Sequence, residues 1–124
     1  LVAVHDGVRP LVSSGTISRC FEAAAQYGNA IPCIAIPESL RELTPGGNRP
    51  ADRSVYRLVQ TPQVFRGDLL KEAYRQEYRP GFTDDAGVLE CLGQPIRIVE
   101  GNPENIKITL EKDLKVAEAL LQGS

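Results

Sequence analysis

Methionine and tryptophan are both missing from this sequence, and histidine occurs once, at His5. A single imidazole excludes metal centres built on several histidines and leaves one ring as a candidate acid or base. The three cysteines, Cys20, Cys33 and Cys91, are widely spaced and form no Cys-x-x-Cys pair. That pattern argues against a metal cluster and for reduced thiols in a cytoplasmic protein. No P-loop, no Gly-x-Gly-x-x-Gly and no serine nucleophile elbow occurs, and Gly46-Gly47 reads as a turn. No apolar run reaches the length of a membrane span. Charge is nearly balanced, with 14 Lys and Arg against 16 Asp and Glu, which argues against bulk nucleic-acid or polybasic membrane binding. The 124 residues are one domain's worth of chain. With no methionine and an opening on Leu1 inside an apolar run, the expectation is that they form the C-terminal part of a longer protein.

What is present begins with Val4-His5-Asp6-Gly7-Val8-Arg9-Pro10. It follows Leu1-Val2-Ala3-Val4, which reads as a buried strand of a parallel sheet. Asp6 and Arg9 then fall at the strand's carboxyl end, where open α/β sheets bind ligands. An Asp offers hard oxygen to a divalent cation such as Mg²⁺, and an Arg offers a planar fork to a phosphate oxygen. The competing reading is a pair that merely pins the turn.

Ser13-Ser14-Gly15-Thr16 offers helix N-cap chemistry, Ile17, Cys20, Phe21, Ala24 and Ala25 repeat at helical spacing, and Gly28-Asn29 supply the stop. Residues 30–36 read as an apolar strand with Pro32 near its start. The first strand, the helix and this second strand form a βαβ unit with a right-handed crossover. Residues 38–60 read as a long hairpin around Pro45-Gly46-Gly47-Asn48, with period-two alternation over 53–59. An isolated hairpin is marginal in water, so a projecting arm docked on a second subunit is preferred to a solvated ribbon. Residues 61–65 return extended to the domain, a helix spans Gly67 to Tyr78, and a short helix starts near Asp84 with Thr83 as N-cap and ends at Gly93. A strand at 96–99, a turn at 101–103 and a short strand at 106–108 lead to a final helix from about Glu111. Leu114, Ala117, Leu120 and Leu121 form the stripe expected to be buried. The alternation of strands and helices says α/β.

Polar groups suited to phosphate chemistry recur at strand ends and helix starts: Asp6, Arg9, Arg53, Thr61, Thr83 and Lys107. Thr hydroxyls and helix N-termini suit phosphate oxygens, and Lys or Arg supply countercharge. Singly, each has a plain structural explanation, as a cap, a surface charge or a hairpin decoration. His5, beside Asp6, reads as a residue that positions the turn.

Four stretches carry more together than apart: His5-Asp6-Gly7-Val8-Arg9-Pro10, Gln60-Thr61-Pro62-Gln63-Val64-Phe65, Thr83-Asp84-Asp85-Ala86 and Asn105-Ile106-Lys107-Ile108-Thr109, with Asp52-Arg53 between the first two. In that order, over essentially the whole chain, they resemble the 2-C-methyl-D-erythritol 4-phosphate cytidylyltransferases. The resemblance implies part of a Rossmann-like nucleotidyltransferase three-layer sandwich, with a projecting β-hairpin that dimerises by crossing to a partner. It implies transfer of CMP from CTP to a sugar-alcohol phosphate, with Mg²⁺ and release of pyrophosphate, in isoprenoid biosynthesis. By motif, Asp6 would bind the metal, Arg9 would sit beside it, and Arg53 would reach from the arm into the partner subunit's site to hold the substrate phosphate. Ser39, Thr61, Thr83 and Lys107 would line the substrate pocket, with Lys107 counted, like Asp6 and Arg9, among the catalytic groups. The sequence departs from the family at Ser39, where Thr is usual, at Gly7-Val8, where two alanines are common, at Gly87, where Ser is usual, and at 37–39, usually more basic. The family's Gly-rich loop, which holds the triphosphate, is not among these residues, so the chain alone is expected to be inactive. Alternatives are a ribitol-5-phosphate cytidylyltransferase, which shares the Asp-x-x-Arg-Pro turn, and a non-catalytic dimerising fragment.

Overall fold

The computed structural model describes residues 1–75, 85–90 and 93–123. In chain order the elements are β1 (Val2–Val4), α1 (Ser14–Tyr27), β2 (Asn29–Ala35), β3 (Leu40–Thr44), β4 (Gly47–Ala51), β5 (Arg57–Val59), β6 (Gln63–Phe65), α2 (Gly67–Ala73), α3 (Asp85–Glu90), β7 (Ile98–Glu100) and α4 (Glu111–Gln122).

The first helix forms where local chemistry specifies it. The Ser13 hydroxyl accepts the Thr16 N–H at the N-terminus, and Gly28, at φ 95°, donates its own N–H to Ala24 O at the other end. That left-handed turn suits a residue without Cβ. The buried side of α1 carries Thr16, Cys20 and Ala24, whereas Ile17 and Phe21 are each 37% exposed and Ala25 is exposed. The stripe is therefore turned towards its smaller residues, because small side chains let the helix lie close on the sheet.

β2 is the strand the sheet is built on. On one side it pairs parallel with β7, in the register Ile31↔Ile98 to Cys33↔Glu100. On the other it pairs antiparallel first with β6, through Asn29 and Ala30, and then with β5, through Cys33 to Ala35. Between those two pairings, residues 60–63 of one strand oppose only 31–32 of the other, a bulge in an otherwise continuous edge. This explains Pro32, which stands in mid-strand, not near the start as expected. Its carbonyl accepts the Gln60 N–H on the bulged side, so the face on which proline has no N–H to offer is the one where the ladder skips. The Thr61–Pro62 peptide is cis.

β1 corrects another expectation. It pairs antiparallel with β6, and β6 separates it from β2. Val2, Ala3 and Val4 are all exposed, because β6 is the one described strand that pairs with them and their far edge is open. β1 and β2 do run parallel, as the βαβ reading requires, but with an antiparallel strand between them.

Side-chain alternation sorts the layers. Val64 and Ala30 face Cys20 and Ala24 of α1. Phe65 faces Ala73, Val88 and Leu89 of α2 and α3, and Ile31 and Cys33 face Ala86 on the same side. Helices thus cover both faces of the sheet, an α/β three-layer arrangement. Burial holds the Cys20 thiol up at about 11, so it stays a neutral, unreactive core group at neutral pH.

The arm is narrower than the expected 38–60. β3 and β4 form their own two-stranded sheet from Leu40 to Ala51, around a two-residue turn at Pro45-Gly46. Arg53–Val55 is a single 3₁₀ turn, and 57–59 return to the main sheet as β5, paired antiparallel with β2. The arm projects: Leu43 is 87% exposed, and a cross-strand Arg49–Glu42 ion pair, itself exposed, decorates it. Exposed pairs contribute at most about 1 kcal/mol, so the hairpin has little of its own to hold it.

Three further expectations change. α2 ends at Ala73, with Tyr74 as its cap; Tyr78, Thr83 with its capping role, and Cys91 lie outside the described residues. Residues 106–108 are not a strand: Ile106 N–H bonds Glu104 O within the loop and Ile108 N–H bonds Val8 O, with no ladder to a described strand. In α4, Ala117 is buried, but Leu114 and Leu121 of the same stripe are largely exposed. The Asp113 carboxylate caps this helix by accepting the N–H groups of Thr109 and Leu110, which hold it below the usual carboxylate range.

One glycine is sterically fixed. A Cβ at Gly101 would collide with Gln60 Oε1 and press on Ile34. Gln60 is buried and held by Asn102 and Asn105, so it has no room to yield. Gly101→Ala is expected to cost about 2 kcal/mol, read as a lowered denaturation midpoint. Gly7→Ala, where a Cβ meets nothing within 4 Å, should leave the midpoint unchanged.

Candidate functional site

The turn after β1, the bulge at 60–63 and the loop before α4 meet at one place. Asp6, Arg9, Thr61 and Lys107 line a single cavity there, with Val59, Gln60 and Gln63. An adjoining cavity of about 300 Å³ is shared by Arg9, Gln60, Asn105 and Lys107 and walled by Ile34, Leu58 and Pro103.

Asp6 and Arg9 touch: Arg9 Nε donates to Asp6 Oδ2 at 3.0 Å, with the Arg9 side chain mostly buried. Arg9 Nη1 donates to the Asn105 carbonyl at 2.7 Å. The pair does pin the turn, as one reading holds, yet Asp6 keeps its second carboxylate oxygen free of any described partner and is over a third exposed. The two readings are compatible, because one oxygen serves the turn and the other is left without a described partner in a residue that lines the cavity. Lys107 is exposed at the cavity mouth, and its ammonium makes no hydrogen bond or ion pair with the described residues. A free carboxylate oxygen and a free ammonium in one cleft suit a ligand carrying phosphate and a hard cation.

The bulge aims Thr61 into the cleft. Its Oγ1 accepts the Asp6 N–H at 3.0 Å and lies 2.9 Å from His5 Nδ1, while His5 Nε2 lies 2.9 Å from the Arg9 carbonyl. His5 therefore ties the β1 turn to the bulge, in keeping with its expected positioning role.

Behind these groups lies a buried amide network that the sequence does not announce. Asn105 Nδ2 donates to Thr61 O and to Gln60 Oε1, and Gln60 Nε2 donates to Asn102 O. Asn102 Oδ1 in turn accepts from the Ser13 N–H and the Thr16 hydroxyl at the start of α1. Asn105 Oδ1 is buried without a partner. An unmade bond of that kind costs about 1–3 kcal/mol and is tolerated where the rest of the network is needed. Asn105 stands in the same motif as Lys107, and its place there is the one sequence signal that could have found it.

Arg53 and Ser39 are not brought to this cavity. Arg53 stands at the root of the arm on a turn capped by Asp52, whose carboxylate is held below its usual range by the Ser54 hydroxyl and N–H. It donates to Pro37 O and shares a second cavity with Ala35, Ile36, Ser54 and Arg57. Arg57, which sequence reasoning misses, donates to Ser54 O and Tyr56 O. Ser39 is exposed just before β3. The basic surface of the arm root and the Asp6 cleft are thus separate within one chain.

Comparison with known proteins fits this arrangement. The family model described as IspD, 2-C-methyl-D-erythritol 4-phosphate cytidylyltransferase, matches residues 1–123. A protein of that name from Bacteroides fragilis is 56% identical over 121 residues, and one from Bacteroides thetaiotaomicron is 54% identical over 121. Each match covers 98% of this chain and 55% of the relative, so the chain spans about half the length of the curated proteins it matches. The crystal structure of 2-C-methyl-D-erythritol 4-phosphate cytidylyltransferase from Thermus thermophilus superposes with a TM-score of 0.85 at 40% identity, over 98% of this chain and 61% of that one. With motif order, fold and identity in agreement across nearly every residue, the chain belongs to the 2-C-methyl-D-erythritol 4-phosphate cytidylyltransferase family.

Proposed function

We propose that this chain contributes to transfer of CMP from CTP to the phosphate of 2-C-methyl-D-erythritol 4-phosphate, with release of pyrophosphate. The convergence of Asp6, Arg9, Thr61 and Lys107 on one cleft carries this reading. The attacking phosphate is already anionic at neutral pH, so catalysis reduces to in-line placement and neutralisation of charge. That is consistent with a cleft holding cations and a carboxylate but no evident activating base.

The free oxygen of Asp6 fits a Mg²⁺ ion, which takes one or two carboxylates and draws its remaining ligands from water and substrate phosphates. Such an ion would offset charge on the α-phosphoryl oxygens and the departing pyrophosphate. Arg9 fixes the Asp6 rotamer and adds positive charge beneath the site; Lys107 supplies a mobile cation at its mouth. Thr83 and Ser39 are proposed as further pocket groups, and Arg53 as the arm's phosphate contact in a partner subunit's site. A homodimer through β3–β4 would give the projecting hairpin the surface it lacks alone. The chain is read as a C-terminal part of a nucleotidyltransferase domain, acting in the cytoplasm. Among the described residues no helix is long and apolar enough to cross a membrane.

The test is a chimera in which this chain replaces the matched residues of the Bacteroides fragilis relative, assayed for pyrophosphate release from CTP and Mg²⁺. Turnover with methylerythritol phosphate and not with ribitol 5-phosphate supports the proposal. A folded chimera that releases none overturns it, and preference for ribitol phosphate reassigns the substrate.

A further inference from the structure

The proton inventory around His5 restricts what Thr61 can do. The Arg9 carbonyl can only accept, so the His5 nitrogen 2.9 Å from it, Nε2, must carry the proton. In the neutral ring Nδ1 is then bare and can only accept. Nδ1 lies 2.9 Å from Thr61 Oγ1, so the hydroxyl proton is directed at it. One lone pair of that oxygen is already used, since it accepts the Asp6 N–H at 3.0 Å. What Thr61 has left for the cleft is a single acceptor lone pair.

We infer that neutral His5 is a positioning residue that turns the Thr61 hydroxyl into an acceptor towards the cleft, so that Thr61 meets a hydroxyl donor of the substrate's polyol chain and not a phosphate oxygen. The inference rests on the functional reading above and deepens it. It reverses the general expectation that a Thr in such a cleft serves phosphate. Phosphate oxygens are acceptors, and two acceptors facing each other gain nothing. The cations of the cleft, Lys107 and Arg9, are left to the phosphate, and Thr61 to the sugar, which divides the two halves of a sugar-alcohol phosphate between opposite kinds of group. The arrangement also links recognition to the metal site: the N–H that occupies the Thr61 oxygen is that of Asp6.

Because His5 is the one histidine of the sequence, ¹⁵N-histidine labelling of this chain reports a single ring. At a pH where the ring is neutral, the wild-type spectrum should show Nε2 protonated and Nδ1 bare but hydrogen-bonded. Thr61→Val should move Nδ1 towards the value of an unbonded nitrogen. A protonated Nδ1 in the wild type, or an Nδ1 resonance that ignores Thr61→Val, overturns the inference. In the chimera assay, Thr61→Val should raise KM for the sugar phosphate about tenfold, the worth of one lost hydrogen bond in a closed site. His5→Phe should copy that effect, and His5→Gln, whose amide offers one donor and one acceptor, should recover part of it. Against a series of analogues each lacking one hydroxyl, wild type and Thr61→Val should converge for one member. Persistence of the gap for every analogue would place Thr61 on the phosphate and overturn the assignment. An inactive wild-type chimera would remove the functional reading alone, and the spectrum would still decide how the hydroxyl points.

Discussion

Asp6→Asn should lower turnover of the active chimera at least about a hundredfold while leaving its fold almost untouched. The substitution keeps the shape of the side chain and an oxygen able to accept from Arg9 Nε, so the turn retains its bond. Arg9 also retains its anchor on the Asn105 carbonyl at 2.7 Å. With the bond to Arg9 Nε kept by the amide oxygen, the melting temperature should move little. What the amide loses is charge on the oxygen that faces the cleft. An amide oxygen is a much weaker ligand for a hard divalent cation than a carboxylate. Turnover measured against Mg²⁺ concentration separates the causes: a raised Mg²⁺ requirement with a lowered plateau is the expected pattern. Near-normal turnover at saturating Mg²⁺ would remove Asp6 from the metal site and leave it as a turn residue.

The parts of this molecule that are legible in the sequence are those whose causes are local. Ser13 and Gly28 bound α1 because capping depends on the backbone within a few residues. Pro45-Gly46 forms its turn for the same reason. The errors are all failures of long-range information. Periodicity gives the phase of a helix but not what covers it, so it points Ile17, Phe21, Leu114 and Leu121 at a core although no described element buries them. Strand order is equally non-local: nothing in residues 1–36 announces that β6 enters between β1 and β2. Pro32 is pushed to a strand end by a sound rule, and the rule is obeyed in a way only the sheet reveals, by a skipped rung. The candidate site divides likewise. Asp6, Arg9, Thr61 and Lys107 bear chemistry of recognisable type, and residue type is enough to single them out. Gln60, Asn102 and Asn105 are amides whose partners lie tens of residues away, and an amide in a sequence carries no sign of whether it is buried. The Thr61 hydroxyl shows the limit most clearly. Residue type suggests phosphate, and the inference that the hydroxyl proton is spent on His5 comes only from distances to residues 55 and 56 positions away.

The separation of Arg53 from the Asp6 cleft within one chain leads to the second large effect. Arg53→Ala should raise KM for the sugar phosphate about ten- to a hundredfold, the worth of a charge-assisted bond to phosphate, and change KM for CTP little. Stability should stay within about 0.5 kcal/mol, because the guanidinium is exposed and, among the described residues, donates only to the Pro37 carbonyl. Equal effects on both substrates would mean a role in holding the arm, not in holding phosphate. The two defects can then be combined to ask which subunit Arg53 serves. If it acts across a dimer, an Arg53→Ala chain and an Asp6→Asn chain together place both defects in one site of the mixed dimer and leave the other site intact. Random assortment of equal amounts makes half the dimers mixed, so recovery should approach about a quarter of wild-type turnover. If Arg53 acts within its own chain, every site in the mixture carries one defect and no recovery follows. The folded geometry favours recovery, since the turn that Asp52 caps presents Arg53 to a cavity at the root of the arm, and that cavity shares no lining residue with the Asp6 cleft.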